Sequence, residues 1–431
     1  MNFSHTRKVS AIGLLATIIL SPAASVLAAD ESSDLGSAIA SGDAGFDLRY
    51  RHELVDQDGI SKDASASTVR ARLNFKTGSW RNWSGFVEFD HVFHIIDNFN
   101  SGAGTSSDRG QYPVVADPEG SDLNQLYVDY SSSDDWKVRV GRQRILLDNQ
   151  RFVGGVGWRQ NEQTYDGLTF TTSAIANTSL QYSYVANVRR IFGERVDAGS
   201  DKSNHHLVNA KIKLNDSWSV VPYVYLLDYD FTAPVPDLPL SEWDANERRR
   251  ALSSTATAGI RIAGNLAAGD GKIALLGEFA TQSDGGDNPV NYDAQYKHLS
   301  AMWALADGLS LGVAFESLGT DSTSLRPLAT PLATAHAFQG WADKFLSTPS
   351  GGIDDLYLTV KYKAGKWSLT GVYHDFSAET GSADYGTEID FAAGRGLGDR
   401  YKLLLKLAVF DADNPSYVDT TKAWLMLSAG F

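Results

Sequence analysis

Thr421-Lys-Ala-Trp-Leu-Met-Leu-Ser-Ala-Gly-Phe431 closes the chain and decides how the rest of it is read. Ala423, Leu425, Leu427, Ala429 and Phe431 fall on one face of an extended strand, and Lys422, Trp424, Met426, Ser428 and Gly430 on the other, because side chains alternate across a strand with a period of two. The same alternation recurs upstream. Phe46, Leu48, Tyr50 and Leu54 alternate with Asp47, Arg49, Arg51 and Glu53. Val69, Ala71, Leu73 and Phe75 alternate with Arg70, Arg72, Asn74 and Lys76, and Leu356, Leu358, Val360 and Tyr362 with Tyr357, Thr359, Lys361 and Lys363. Helical spacing would scatter these sets around a cylinder, whereas strand spacing separates them cleanly.

Eighteen such segments run from 45–54 through 420–431. The connections between them alternate in length. Gly78–Asn82, Ser132–Asp134, Asn215–Asp216, Ala306–Asp307 and Gly365 are short; 92–122, 142–164, 188–203, 229–252, 281–293 and 318–354 are long. An even strand count with short turns at one rim and long loops at the other is the pattern of a transmembrane antiparallel β-barrel, with short periplasmic turns and long extracellular loops. Closure satisfies every backbone polar group in lipid and leaves no sheet edge. A chain that ends on an aromatic after alternating apolar residues also resembles the C-terminal strand of bacterial outer-membrane barrels. In those proteins the terminal Phe is part of the signal read by the assembly machinery, which implies that role for Phe431.

Composition agrees. The 431 residues contain no Cys, which removes disulfides, thiol catalysis and cysteine metal sites. The 18 Tyr, 19 Phe and 10 Trp supply the interfacial aromatic girdles that such a barrel needs. Arg7 and Lys8, the apolar run Val9–Leu20 and the small residues around Val26-Leu27-Ala28 read as a secretory signal over residues 1–28. No later run of about 20 apolar residues offers a membrane helix. The expected layout is a signal peptide at 1–28, a periplasmic lead-in at 29–44 and the barrel at 45–431, in the outer membrane of a Gram-negative cell.

With the apolar sets facing lipid, the polar sets line the lumen and their charge can be counted. Fifteen inward basic residues (Arg49, Arg51, Arg70, Arg72, Lys76, Lys137, Arg139, Lys211, Lys213, Arg261, Lys361, Lys363, Lys402, Lys406 and Lys422) face nine acidic ones, so the wall reads as +6. The rest of the mature chain carries 21 basic against 43 acidic residues, or −22. A cationic wall concentrates anions because low-dielectric walls focus the field, and rings of Arg or Lys are how pores select anions. The alternative is that lumen residues only need to be polar. Two long loops are candidates to fold inward: Arg142–Thr164, with Arg142, Arg144, Arg151 and Arg159 against Asp148 and Glu162, and 318–354, whose stretch from His336 to Leu346 is rich in aromatics.

These loops carry a resemblance. Gly141-Arg-Gln-Arg144, Arg151-Phe-Val-Gly154, Gly157-Trp-Arg-Gln-Asn-Glu-Gln-Thr164 and Phe338-Gln-Gly-Trp-Ala-Asp-Lys-Phe-Leu346 resemble motifs of the alginate-export family of outer-membrane barrels. The resemblance implies an 18-stranded monomeric channel with an arginine-rich constriction that conducts an anionic polysaccharide. It points to Arg142, Arg144, Arg151 and Arg159 as constriction or loop-anchoring residues. The long periplasmic turn that can plug the alginate exporter has no counterpart, since the turn here is only about Gly394–Asp399.

Enzyme readings are weak. Gly308-Leu-Ser310-Leu-Gly312 matches a nucleophile elbow, but Ser310 sits in an alternating segment with no helix after it. His91 and His94 sit at a strand–loop edge, and Asp284–Asp287 lacks the spaced ligands of a calcium loop. The expected protein is therefore a porin that passes acidic saccharides or organic acids, with no cofactor, metal or nucleic acid. Its partners are the bilayer, lipopolysaccharide and the assembly machinery.

Overall fold

The structure is a computed structural model that describes residues 34–431 apart from 107–108, 234–237 and 270; the signal segment lies outside these residues. Eighteen strands follow a short helix. They are β1 (Asp43–Gln57), β2 (Ala64–Lys76), β3 (Trp83–Asn98), β4 (Gly120–Ser133), β5 (Trp136–Gln143), β6 (Thr164–Thr172), β7 (Thr178–Arg189), β8 (Ser200–Lys213) and β9 (Trp218–Leu227). Then come β10 (Thr255–Ala268), β11 (Gly271–Asp284), β12 (Asp293–Ala304), β13 (Leu309–Leu318), β14 (Ile353–Ala364), β15 (Trp367–Ser377), β16 (Asp384–Leu397), β17 (Tyr401–Ala412) and β18 (Thr420–Gly430). Each strand pairs antiparallel with the next, and β1 also pairs with β18, so the sheet closes.

The closing seam is continuous, with Leu48 opposite Ala429, Tyr50 opposite Leu427 and Glu53 opposite Trp424. Beyond it, the Phe431 amide donates to Phe46 O at 2.9 Å and the Phe46 amide donates to Phe431 O at 3.1 Å. The terminal strand splits as its alternation requires: Leu425 and Leu427 are 39% and 40% exposed on the outer face, while Trp424 and Met426 are buried inside. Leu73, Val140, Ile260, Leu299, Leu358 and Ile389 stand on the same outer band, which is stable only against hydrocarbon. Trp83, Tyr130 and Trp136 cluster near the short-turn rim, with tilted rings whose centroids are 4.7 and 5.5 Å apart, as in an aromatic girdle. No helix among the described residues is long and apolar enough to cross a membrane.

Two details differ from the reading of the sequence. Part of the lead-in is ordered: Leu35–Ala40 forms α1, capped by the Asp34 carboxylate accepting from Ser37 N at 2.8 Å, and the barrel starts at Asp43. The helix is tied to the rim, where Ala38 O accepts from Gly78 N at 2.9 Å. The charge count also missed lumen carboxylates. The β-bulge at Glu88/Phe89 leaves Asn124 as an extra residue and breaks strict alternation on β4, so Asp122 turns toward the lumen with Asp355 and Asp201.

Gly141, in the Gly-Arg-Gln-Arg motif, has φ of +127° and lies against β4, where an added Cβ would stand 2.2 Å from Leu126 O. Only Gly fits both constraints. Gly141→Ala is expected to cost about 1–3 kcal/mol and to disturb the β4–β5 pairing. The measurement is the fraction of protein that migrates as folded barrel on unheated gels; an unchanged fraction across a denaturant series would contradict this placement.

Candidate functional site

The long loops 144–163 and 319–352 fold into the barrel and join across it. Val153 and Leu332 form a parallel bridge, Gly154 N donates to Leu332 O at 2.8 Å, and Val156 N donates to Thr334 Oγ1 at 3.1 Å. Apolar side chains from both loops, including Ile145, Leu147, Phe152, Leu328, Leu332 and Phe345, pack with the inner faces of Tyr225, Tyr296 and Phe376. The lumen thus holds a hydrophobic core of its own. Val156 takes φ of +49°, unfavourable for a β-branched residue, and is held there by the Thr334 contact.

The arginines of β1 and β2 explain why the loop 144–163 stays inside. Arg49 stands directly opposite Arg70, and like charges so placed repel unless their donors are taken. The loop backbone takes them. Arg49 donates to Gln160 Oε1 at 2.9 Å, to Gly157 O at 3.0 Å and to Arg159 O. Arg51 donates to Trp158 O at 2.5 Å and to Glu53 at 2.8 Å, and its guanidinium lies 4.3 Å over the Trp158 ring. Arg70 donates to Gln160 O at 3.3 Å. Arg72 donates to Glu162 at 2.7 Å and Asp90 at 2.9 Å. Loop arginines reach back the other way: Arg144 to Glu88 at 2.7 Å and to Glu162, and Arg159 to Glu53 at 3.2 Å and Asp343 at 3.0 Å. Arg151 contacts Glu316 at 3.0 Å and Gln339 at 2.9 Å, linking the first loop to the wall and to the second loop.

At the centre, Trp158 stacks on His336 with centroids 4.4 Å apart and planes within 7°. Lys406 Nζ lies 2.8 Å from His336 Nε2 and 3.7 Å from the Trp341 ring centroid. An ammonium only donates, so Nε2 accepts and the ring proton sits on Nδ1, which donates to Asp343 at 2.6 Å. Burial pushes His336 down to about 3. Burial raises the Asp343 and Glu162 carboxyls, but their neighbours outweigh it: the Lys422 ammonium, the hydrogen bond from His336 and the Arg159 guanidinium hold Asp343 well below the usual range, and Arg72 and Arg144 bring Glu162 to about 2.

The joined loops form a septum. Outside it lies a wide vestibule of about 920 Å³ bordered by Tyr112, Arg190, Arg249, Arg326 and Lys344; beneath it lies a cavity of about 300 Å³ bordered by Phe338, Trp341, Tyr357, His374 and Lys361. A narrow cleft of about 20 Å³ lies between the first loop and the wall of β3–β7, beside Asp90, Asp122, Arg142, Glu162 and Arg189.

The twelve residues singled out from the sequence divide in two. The nine arginines, Arg49, Arg51, Arg70, Arg72, Arg139, Arg142, Arg144, Arg151 and Arg159, have their guanidiniums engaged by protein; Arg139 grips Asp129 at 2.7 and 2.8 Å and Arg142 grips Asp166 at 2.7 Å. Lys137, Lys361 and Lys363 have no side-chain hydrogen bond or ion pair among the described residues, and Lys272 shares that condition. Lys272 was legible, since it lies an even number of residues from inward Glu278. The partnership of Arg159 with Asp343 was not, because 184 residues separate them. His91 and His94 turn to Ser121 Oγ at 2.7 Å and Asp117 O at 2.9 Å.

The model of the alginate export family matches residues 41–301, more than half of the chain. The chain belongs to the alginate export family. Membership and an 18-stranded closed barrel make it an outer-membrane channel protein. Solved structures share the fold. OccK9 (OpdG) of Pseudomonas aeruginosa superposes with a TM-score of 0.69 at 14% identity, over 91% of this chain and 99% of that one. OccAB4 of Acinetobacter baumannii gives 0.67 at 10% identity, over 90% and 98%. OccK8 (OprE) of P. aeruginosa gives 0.66 at 15%, over 91% and 99%. At such identities the likeness is one of fold. No curated protein matches the sequence.

Two predictions follow from the anchoring. Glu162→Gln removes the carboxylate shared by Arg72 and Arg144, and losing one partner of a buried pair costs about 3–5 kcal/mol. Trypsin is expected to cleave after Arg151 or Arg159 in the variant's folded barrel and to spare the parent; equal resistance would show that the loop is held elsewhere. Acid acts in the same direction. His336 is depressed when folded, so its neutral-state stabilisation is complete above its unfolded pKa of about 6.5 and is lost as pH falls toward about 3. Glu162 adds a loss between about 4.5 and 2. Single-channel current noise is expected to rise from pH 7 to pH 4, with the upper part of that rise absent in His336→Gln.

Proposed function

We propose that this channel passes anionic solutes, such as acidic saccharides or organic acids, down their gradient. No bond is made or broken; the work is electrostatic attraction and orientation. The observation that supports this is which wall charges remain unspent. Lumen arginines and carboxylates largely cancel one another in pairs, from Arg72–Asp90 to Arg261–Glu278. What remains without a side-chain partner among the described residues is mostly lysine: Lys76, Lys137, Lys211, Lys213, Lys272, Lys361, Lys363 and Lys402, against Asp43, Asp47 and Asp122. A fixed excess of exposed ammonium groups along a water-filled, low-dielectric tube raises the local anion concentration. The same reading leaves the arginines as the framework that holds the septum. It also keeps the outer band against bilayer and lipopolysaccharide, with Phe431 presented to the assembly machinery and the barrel working as a monomer.

The test is single-channel recording in a planar bilayer under a salt gradient. The expected result is a reversal potential that shows anion preference. An unselective or cation-preferring conductance would overturn the proposal and favour a general porin whose lumen charge serves only solvation.

A further inference from the structure

One wall lysine differs from the rest. Lys406 on β17 has no carboxylate at ion-pair distance among the described residues, yet its ammonium is not left to water. It donates to His336 Nε2 at 2.8 Å and lies 3.7, 4.2 and 5.3 Å from the ring centroids of Trp341, Trp158 and Trp424. One cation thereby touches both septum loops and β18. The faces of Trp rings attract an ammonium through the ring quadrupole, and the attraction grows as water is excluded.

One wall carboxylate has the converse shortage. Asp390 on β16 is 1% exposed, and neither of its carboxylate oxygens has a hydrogen-bond partner among the described residues. His374 Nε2 stands 3.7 Å from it, and His374 is already engaged at Nδ1 by Asp355 at 2.9 Å. Glu388, on the same face of β16, adds a second carboxyl, which accepts from the Trp341 and Ala342 amides. Buried polar groups are nearly always satisfied, so Asp390 is an acceptor that lacks its donor.

The two residues are within reach of each other. The β16–β17 ladder sets Ala392 opposite Lys406 and Asp390 opposite Ala408 with no register shift, so Lys406 and Asp390 are diagonal neighbours on the inward face. Diagonal neighbours lie about 7–8 Å apart, within the span of a long side chain. The two alanines carry no polar group that competes. A rotation of the Lys406 side chain therefore takes its ammonium from the rings to Asp390. It leaves a seat with no counter-charge for one that lacks only a cation.

The position of the rings gives that rotation a consequence. His336 borders the vestibule above the septum, and Trp341 borders the cavity beneath it. The rings that hold Lys406 are thus the partition between the two spaces. We propose that Lys406 is the gate of the channel, a side-chain switch with a closed seat among the tryptophans and an open seat on Asp390. With the ammonium on Asp390, His336 and Trp341 lose the cation that draws them together, and the vestibule joins the cavity. The backbone joints between the loops, Val153 with Leu332 and Gly154 N with Leu332 O, stay made in both states. The gate therefore moves side chains and leaves the septum in place, as a two-state element within a fixed frame. This rests on the chain being a channel and is independent of which ions the channel prefers.

The experiment is single-channel recording of the full protein in planar bilayers at fixed voltage and salt. The parent is expected to step between a low and a high level. Asp390→Asn keeps the shape and removes the open seat, so high-level openings are expected to become about tenfold rarer, the size of a coupling between contacting residues. Lys406→Gln removes the cation that draws the rings together, so the high level is expected to dominate. The double variant Lys406→Gln/Asp390→Asn is expected to match Lys406→Gln alone, because Asp390 acts through the lysine. A purely structural Asp390 would instead add its effect in both backgrounds. Folded mobility on unheated gels checks each variant. Should Asp390→Asn fail to fold, Trp341→Leu tests the closed seat from the loop, with openings about tenfold more frequent than in the parent. A parent with one steady level, a folded Asp390→Asn that opens as often as the parent, additive effects in the double variant, or unchanged openings in Trp341→Leu each overturn the gate. The two proposals are read from different quantities. Reversal potential decides anion preference and open probability decides the gate, so either can fail while the other stands.

Discussion

A peptide group in hydrocarbon has nowhere to send its hydrogen bonds except to another peptide group, and this constraint organises the whole molecule. It forces β18 back onto β1 and makes the last residue of the chain pair with Phe46. It also explains the even strand count and the outward Leu, Val, Ile and Phe. Those side chains would be a liability in water and are a requirement in lipid. Once the ring is closed, its inner face is the remaining place for the polar half of every strand. The chemistry of the protein is therefore confined to the lumen by the same rule that built the wall.

Inside, a second problem arises from the first. Eighteen strands enclose more space than side chains alone fill. The chain fills the middle with its own loops, and the polar wall has to be satisfied while it does so. Four arginines on β1 and β2 present donors in a dense array; the backbone carbonyls of Gly157, Trp158, Arg159 and Gln160 accept from Arg49, Arg51 and Arg70, and the carboxylates of Glu162 and Asp90 accept from Arg72. The array that reads in sequence as an anion-attracting surface is thereby mostly consumed by protein. Arginine suits this role, since its planar fork makes several bonds at once, whereas lysine is a compact charge that stays hydrated. The division of labour between the two residue types follows that difference: arginines fix the loops, and the lysines beside the short turns remain in water.

Much of the fold was legible because period-two alternation is imposed by lipid on one side and water on the other. The strand count, the terminal strand's two faces and the inward direction of the eight wall residues came from that pattern, whereas the four loop arginines rested on the resemblance of their motifs. It failed where the backbone departs from strict alternation. Asp122 turns inward at a bulge, which alternation does not announce. The ordered Leu35–Ala40 was also missed, because a six-residue helix leaves no periodic trace. Which lumen charges stay free was not legible at all. That depends on contacts such as Arg151 with Gln339, 188 residues apart, and nothing local to either residue records them.

The central network has a mechanical consequence. Arg159 holds Glu53 on β1 and also Asp343, and Asp343 in turn holds Lys422 on β18. Trp158 packs against Trp424 of β18 while its carbonyl accepts from Arg51 of β1. The first and last strands are thus clasped from within as well as paired edge to edge. Pulling them apart sideways means breaking a buried ionic chain together with the backbone ladder, so the join between the two chain ends becomes one of the hardest places in the wall to unzip.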